Sequence, residues 1–371
     1  MKIGIDARPL TVDNFTGISN YLYQILLQWM EKHKENEYYL FSRRKICFEQ
    51  ENLPENWHIV NTPGAIDIKK LWFITELPKL LKAYDIDAFW GPNFRLPRKV
   101  KGIDYYVSVH DLAIFKFKKI GAFKNSMQIK LCLKGDLKKA KKIFAISKST
   151  KRDIVELMSV PEDKVKVTYI AGNGAPKNNA VGEIREELRL DSDFLIFIGT
   201  IEPRKNICSI IKGFESYCTK YGNENLKLVL AGGRGWNCDD IYECRENSRY
   251  KERIIMPGYI SASEKEYLLK NAKAFVYPSL YEGFGIPILE AFEYGLPVIT
   301  SDNSSCPEVG GDAAFYVKAD DFEQLGERIQ EVLSLTKTQR DEFEGRMKEQ
   351  ERKFSWEKCA EETMVEIIRY D

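Results

Sequence analysis

The chain has 371 residues, 44% of them hydrophobic and 30% charged, which excludes a disordered or collagen-like protein and points to two folded domains. A net charge of +1 excludes a protein that binds polyanions over its whole surface. Its eight cysteines form no C-x-x-C pair and adjoin no histidine, so their spacing predicts reduced thiols in a cytoplasmic protein, without a zinc site.

Met1-Lys2 leads directly into the apolar run Ile3-Gly4-Ile5, which Asp6 and Arg8 interrupt too soon for a signal peptide. No later window is apolar for long enough to span a bilayer. In the first half, short β-branched or aromatic runs predict strands at 3–7, 38–42, 57–61, 88–91, 105–110, 143–147 and 165–170. Two readings stand for Asp6 and Arg8 at the end of the first strand: contacts to an acceptor, or a local ion pair. The segment Thr16-Gly17-Ile18-Ser19-Asn20-Tyr21 passes from loop to helix. Over 18–34 the residues Ile18, Tyr21, Leu22, Ile25, Leu26 and Trp29 fall on one helical face.

His110 is one of three histidines and ends the strand 105–110, directly before Asp111-Leu112. A histidine there projects from a strand's carboxyl end, where either a packing or a site role is open to it, and Asp111 is placed to orient its ring. From Lys116 to Arg152 the chain holds about a dozen basic residues and almost no acids, with Trp72, Phe73, Phe115, Phe117 and Phe123 in or before that stretch. Such a face suits anionic lipid headgroups on the inner side of a membrane, or a lipid-pyrophosphate acceptor. A solvated helix face explains the individual lysines equally well. No nucleic-acid motif accompanies the charge.

The turn-rich segment from Gly172 to Asn179 divides a first domain, 1–175, from a second, 176–354. In the second, strands are predicted at 194–199, 226–231, 254–256, 274–277, 297–301 and 314–317. A helix is predicted at 263–270, with Glu266 closing a capping box. Strands that alternate with helices make parallel sheets, so the fold class is α/β, with two doubly wound, Rossmann-like domains and ligands in a cleft at their strands' carboxyl ends.

Three strings carry chemistry. Ile198-Gly199-Thr200-Ile201-Glu202-Pro203-Arg204-Lys205-Asn206 follows a strand, and its Arg204 can fork onto phosphate oxygens while Lys205 adds a point charge. Glu282-Gly283-Phe284-Gly285-Ile286-Pro287-Ile288-Leu289-Glu290 passes from a loop into a helix with Pro287 in its first turn. Its amides and the positive helix end suit a phosphate or sugar, and its two carboxylates, seven residues apart, can reach different parts of one ligand. Gly232-Gly233 and Gly258-Tyr259-Ile260 each follow a strand, where backbone can approach a ligand.

The Glu282-to-Glu290 string resembles the Glu-x7-Glu signature of family-four retaining glycosyltransferases with the GT-B fold, and the Arg204-Lys205 segment is similar to the family segment that grips the donor diphosphate. The resemblance covers nearly the whole chain. It implies a donor site in which Glu282 meets sugar hydroxyls, Glu290 the ribose, and the backbone of Phe284, Gly285 and Ile286 the sugar or diphosphate. Gly258, Tyr259 and Ile260 line the base, and Gly17 approaches the diphosphate, although Thr16-Gly17 replaces the two consecutive glycines common in the family. His110 stands near the reacting sugar, with Asp6, Arg8 and Asp111 toward the acceptor. Residues 355–371, after Phe354-Ser355-Trp356, return to the first domain.

The implied activity is retaining transfer of a hexose from a sugar nucleotide to a lipid-linked or oligosaccharide acceptor, without metal or other cofactor. The wording of the Arg204-Lys205 segment is most like bacterial mannosyltransferases of surface polysaccharides, which favours GDP-mannose. Rhamnosyl or other hexosyl transfer from dTDP- or UDP-sugars, a nucleotide-sugar epimerase of the same architecture, and a non-catalytic sugar-nucleotide-binding partner are the alternatives.

Overall fold

The computed structural model describes residues 1–11, 17–48, 53–62, 72–117, 132–172 and 184–369. Thr16, Phe123, the middle of the basic stretch at 118–131 and the turn-rich join at 173–179 lie outside the described residues. Every strand expected from the sequence is present. They form two sheets in two units, one of Met1–Ile170 with Ser355–Asp371 and one of Ala171–Phe354.

The first unit holds β1 (Lys2–Asp6), β2 (Glu37–Ser42), β3 (Trp57–Asn61), β4 (Ala88–Gly91), β5 (Asp104–Val109), β6 (Lys142–Ala145) and β7 (Val165–Val167), in the order β3-β2-β1-β4-β5-β6-β7. The second holds β8 (Phe194–Ile198), β9 (Lys227–Ala231), β10 (Ile254–Gly258), β11 (Ala274–Tyr277), β12 (Val298–Ser301) and β13 (Ala314–Val317), in the order β10-β9-β8-β11-β12-β13. All pairings are parallel. Parallel strands carry helices on both faces, so β8 reads Phe-Leu-Ile-Phe-Ile with no alternation. In both sheets the order reverses beside the first strand. The loops leaving β1 and β4, and those leaving β8 and β11, therefore diverge at a switch point, where such sheets hold ligands.

The helix Gly17–Lys32 buries Tyr21, Leu22, Ile25, Leu26 and Trp29, as its periodicity predicts. Trp29 stacks on Tyr38 and tilts against Trp90, and its Nε1 donates to the Ala360 carbonyl at 2.9 Å. That carbonyl lies on the helix Trp356–Ile368, which also accepts a bond from the Tyr106 hydroxyl at Ile367 O, 3.2 Å away. Residues beyond 355 thus complete the first unit's core.

Four sequence expectations change. Trp72 and Phe73 are buried in a π-helical turn, Trp72–Glu76, and belong to the hydrophobic core, so they form no lipid-facing surface. In the basic stretch, Lys116, Lys139, Lys141, Lys142 and Lys151 each face a carboxylate, on Asp153, Asp136, Asp104, Glu366 and Glu162 respectively. Asp136 lies within the stretch and Asp153 directly after it, while Asp104, Glu162 and Glu366 come from elsewhere in the chain and add compensation that the local run does not show. The capping box lies two residues earlier than expected: Ser261 Oγ accepts from the Glu264 N–H and the Glu264 carboxylate accepts from the Ser261 N–H, starting the helix Ala262–Asn271. Finally, β10 continues through Pro257 to Gly258, because it is an edge strand where a missing N–H breaks no ladder bond.

Gly232 carries a constraint that reaches the site. A Cβ built there would lie 1.8 Å from the Gly199 carbonyl oxygen, so the loops after β8 and β9 touch backbone to backbone. Beyond the sheet they stay joined, through Ile201 N–H to Gly233 O and Gly235 N–H to Ile201 O, at 2.9 and 3.0 Å. The glycine at 232 is thus required by its neighbouring backbone, without any donor. Gly232→Ala is expected to lower the second unit's melting temperature by about 5–10 °C in scanning calorimetry, the effect of roughly 3 kcal/mol of overpacking.

Candidate active site

At the switch point of the second sheet, four charged side chains meet. Pro203–Lys205 makes a 3-10 turn after β8, and Glu282 follows the loop that leaves β11. Lys205 Nζ donates to Glu282 Oε1 at 2.8 Å, and Arg204 Nη1 to Glu282 Oε2 at 2.7 Å. Glu202 Oε1 accepts from Arg204 Nε and Nη2 at 3.0 and 2.7 Å. The Tyr277 hydroxyl donates to Glu282 Oε1 at 2.9 Å and accepts from Lys205. Lys205 is only 8% exposed, and Glu202 and Glu282 are buried too, so each charge depends on its partners. Burial disfavours the ionised form of Glu282, but Lys205 and Arg204 outweigh it and hold its carboxyl at about 2. Burial first, and then the Glu282 carboxylate, push the Tyr277 phenol well above its ordinary value. Glu282 is therefore ionised throughout the physiological range.

Asn206 fixes this turn, and the sequence reading did not single it out. It takes a left-handed conformation, φ 59°, directly before the helix Ile207–Tyr221. Its Nδ2 donates to the Pro278 carbonyl at 3.0 Å and the Ala319 carbonyl at 2.5 Å. It thereby ties the loop after β8 to those after β11 and β13. Leu280 N–H adds a bond to the Arg204 carbonyl at 2.9 Å. On the opposite side, Ser304 Oγ accepts from the Glu282 N–H at 3.0 Å, and Ser305 Oγ donates to the carbonyls of Glu282 and Phe284 at 3.0 and 2.7 Å. An amide-bearing residue between a basic pair and a helix was the visible signal for Asn206. Nothing local marks the two serines.

The remaining donor-side residues separate into groups. Gly285 precedes the helix Ile286–Phe292 at φ 109°, a conformation that L side chains rarely adopt. Ile286 opens the first turn, where its N–H has no carbonyl within the helix. Phe284 is buried edge-on against Phe354 at 5.3 Å, so only its backbone is available to a ligand. Glu290 pairs with Lys265 Nζ at 2.6 Å, away from the four-charge cluster's bonds. At the end of β10, Gly258 turns the chain at φ 75°, Tyr259 presents its ring at 81% exposure, and Ile260 is buried. Arg185 braces that loop by donating to the carbonyls of Pro257 and Tyr259 at 3.0 and 3.1 Å.

In the first unit His110 is buried, with Nε2 2.7 Å from the Pro92 carbonyl and the Tyr21 ring edge-on at 4.8 Å. Burial pushes its pKa down to about 4, the Pro92 carbonyl opposing, so the ring is neutral. A carbonyl can only accept, so Nε2 carries the proton and Nδ1 is left as an acceptor. Asp6 and Arg8 form the local ion pair, with Nε to Oδ1 at 2.8 Å and Nη2 to Oδ2 at 2.7 Å, and the guanidinium lies over Phe73. Asp111 accepts from the Ala113 N–H at 3.0 Å, which starts a short helix and does not orient the His110 ring through any bond described. Gly17 opens its helix with no described atom within 4 Å of where a Cβ would sit.

Two family models match these units: Glycosyltransferase Family 4 over residues 15–170 and Glycosyl transferases group 1 over 182–354. Both models describe glycosyltransferases and together they cover most of the chain, so the chain is a glycosyltransferase. It is similar to the O-antigen chain mannosyltransferase B of Escherichia coli, at 27% identity over 98% of each chain. It also matches the O-antigen chain mannosyltransferase RfbU of Salmonella typhimurium, at 28% identity over 62% of this chain and 61% of that one. Among solved structures, Anabaena Alr3699/HepE, in complex with UDP and glucose, superposes with a TM-score of 0.72 at 14% identity, covering 100% of this chain and 99% of that one. The glycosyltransferase fold is GT-B, with its two parallel sheets of seven and six strands. Among the described residues no helix is long and apolar enough to cross a membrane.

Two outcomes follow for this glycosyltransferase. Asn206→Asp keeps the shape of the side chain but cannot donate, so kcat/KM is expected to fall by on the order of tenfold or more, with circular dichroism unchanged. His110 binds fewer protons folded than unfolded between its folded pKa of about 4 and the ordinary 6.5. Its contribution is therefore complete above that window and lost as pH falls through it, by on the order of 3 kcal/mol. Melting curves from pH 7 to 4 should show a shallower acid slope in His110→Asn than in the parent chain.

Proposed function

We propose that the enzyme transfers mannose, with retention of anomeric configuration, from GDP-mannose to a lipid-linked or oligosaccharide acceptor in surface-polysaccharide synthesis. The observation that carries a sugar-nucleotide site is the buried cluster of Arg204 and Lys205 with Glu282 at the switch point of the second sheet. The mannosyl assignment draws support from the two O-antigen mannosyltransferases that the chain resembles. On this reading the second unit holds the donor and the first the acceptor.

Arg204 and Lys205 neutralise the diphosphate as charge develops on it, in a site where the cations are already fixed and need no reorganisation. The bond from the anomeric carbon to the phosphate oxygen breaks, and the acceptor oxygen bonds to that carbon on the same face. The acceptor's proton passes to the leaving diphosphate, so no protein nucleophile is required. Glu282 and the backbone at Gly285–Ile286 hold sugar hydroxyls, and Glu290 holds the ribose. Gly17 lets its backbone approach the diphosphate. The neutral His110 offers Nδ1 as an acceptor to a hydroxyl of the reacting sugar. Arg8, already oriented by Asp6, and Asp111 face the acceptor. Gly258, Tyr259 and Ile260 read the base, mainly through backbone. Arg204 and Lys205 take the place of a metal at the diphosphate, so turnover in EDTA should equal turnover without it.

A thermal-shift series with GDP-, UDP- and dTDP-sugars tests the donor. GDP-mannose at 100 times its dissociation constant should stabilise the protein by about 2.7 kcal/mol, and Lys205→Ala should abolish both that shift and mannosyl transfer. A larger shift with a UDP- or dTDP-sugar would replace mannose with the corresponding hexose. Full turnover in Lys205→Ala would remove the site assignment.

A further inference from the structure

The two cations assigned to the diphosphate are already occupied. Lys205 and Arg204 each donate to a separate oxygen of Glu282, at 2.8 and 2.7 Å. Arg204 is also bonded to Glu202, so the charges of Glu202, Arg204, Lys205 and Glu282 cancel. A nucleoside diphosphate entering this site meets a neutral cluster, and gains little until a carboxylate gives way.

Glu282 is the member that can give way without loosening the cations. Lys205 keeps the Tyr277 hydroxyl, and its ammonium lies 4.8 Å from the centre of the Tyr277 ring. Arg204 keeps Glu202 and the Tyr281 carbonyl, the latter at 2.9 Å. Tyr277 is itself fixed at the end of β11, stacked against Phe197 and Phe275. Protonation does not release Glu282, because its pKa of about 2 keeps it charged. Release requires a change of partners.

We propose that Glu282 is an exchangeable counterion, which holds Arg204 and Lys205 in the empty enzyme, yields them to the donor's diphosphate, and recaptures them when the sugar has left. The inference rests on the donor reading above. A complete sugar nucleotide compensates Glu282 with sugar hydroxyls as it surrenders the cations. The nucleoside diphosphate product has no sugar to offer, so Glu282 competes with it for the same two cations and drives it out. One carboxylate thus makes the site prefer substrate over product.

Calorimetric titration of GDP, and of UDP and dTDP in parallel, into the parent chain, Glu282→Gln and Lys205→Ala tests this. Removing the competing charge while keeping the shape is expected to tighten the free diphosphate by about tenfold, with a steeper loss of affinity in salt. The preference for sugar nucleotide over free diphosphate should shrink. Unchanged or weaker diphosphate binding in Glu282→Gln overturns the proposal. If Lys205→Ala binds the diphosphate as the parent does, the donor-site reading itself has failed. Should Glu282→Gln not fold, Glu202→Gln frees the other edge of Arg204 and is expected to tighten binding by about threefold, and no tightening there overturns the proposal equally.

Discussion

Charges removed from water must be paired, and this requirement organises the second unit. Two cations and two carboxylates lie together where β8 and β11 diverge, and the buried Glu202, Lys205 and Glu282 are not tolerable there alone. The surrounding backbone serves that arrangement. The loop after β8 is fixed to the loop after β9 by the approach of Gly199 to Gly232, and to the loops after β11 and β13 by Asn206. The loop after β11 is fixed in turn by Ser304 and Ser305. The result is a set of charged and polar groups whose positions are settled during folding.

Much of this was legible in the sequence, for reasons that differ between elements. Parallel strands buried on both faces leave continuous apolar runs such as Phe194–Ile198, so the strand positions and the α/β class could be anticipated from strands alternating with helices. The two charged strings stood out because Arg204-Lys205 and Glu282-to-Glu290 each follow a strand at a glycine-containing turn. That Glu282 bonds to Arg204 and Lys205 was not legible, since 78 and 77 residues separate the partners and no local pattern records the pairing. The basic stretch misled partly for the same reason, because Asp104 and Glu366 reach it from distant parts of the chain, although Asp136 and Asp153 lie in or directly beside it. Trp72 and Phe73 misled because a π-helical turn buries both neighbours, where a regular amphipathic face would expose some of the run.

The first unit shows how packing selects the chemistry of one side chain. His110 would titrate near 6.5 in water, but burial among aromatic rings makes it neutral, and the Pro92 carbonyl, which opposes that shift, selects a single tautomer. Tyr21, which supplies one wall of that pocket, comes from the helix Gly17–Lys32, and its hydroxyl meets Ser108 at 2.9 Å, as the Trp90 indole does at 3.0 Å. The ring's protonation state is therefore a property of the core as a whole.

The return of the chain to the first unit has a temporal side. Trp29 and Tyr106 wait for carbonyls at Ala360 and Ile367, which are translated only after all of Ala171–Phe354. At ordinary elongation rates that interval is roughly ten to forty seconds. Throughout it the second unit is still being made, and the first exposes the apolar face that Cys359, Met364 and Ile367 will cover. The unit made earlier is thus the last to have its core covered.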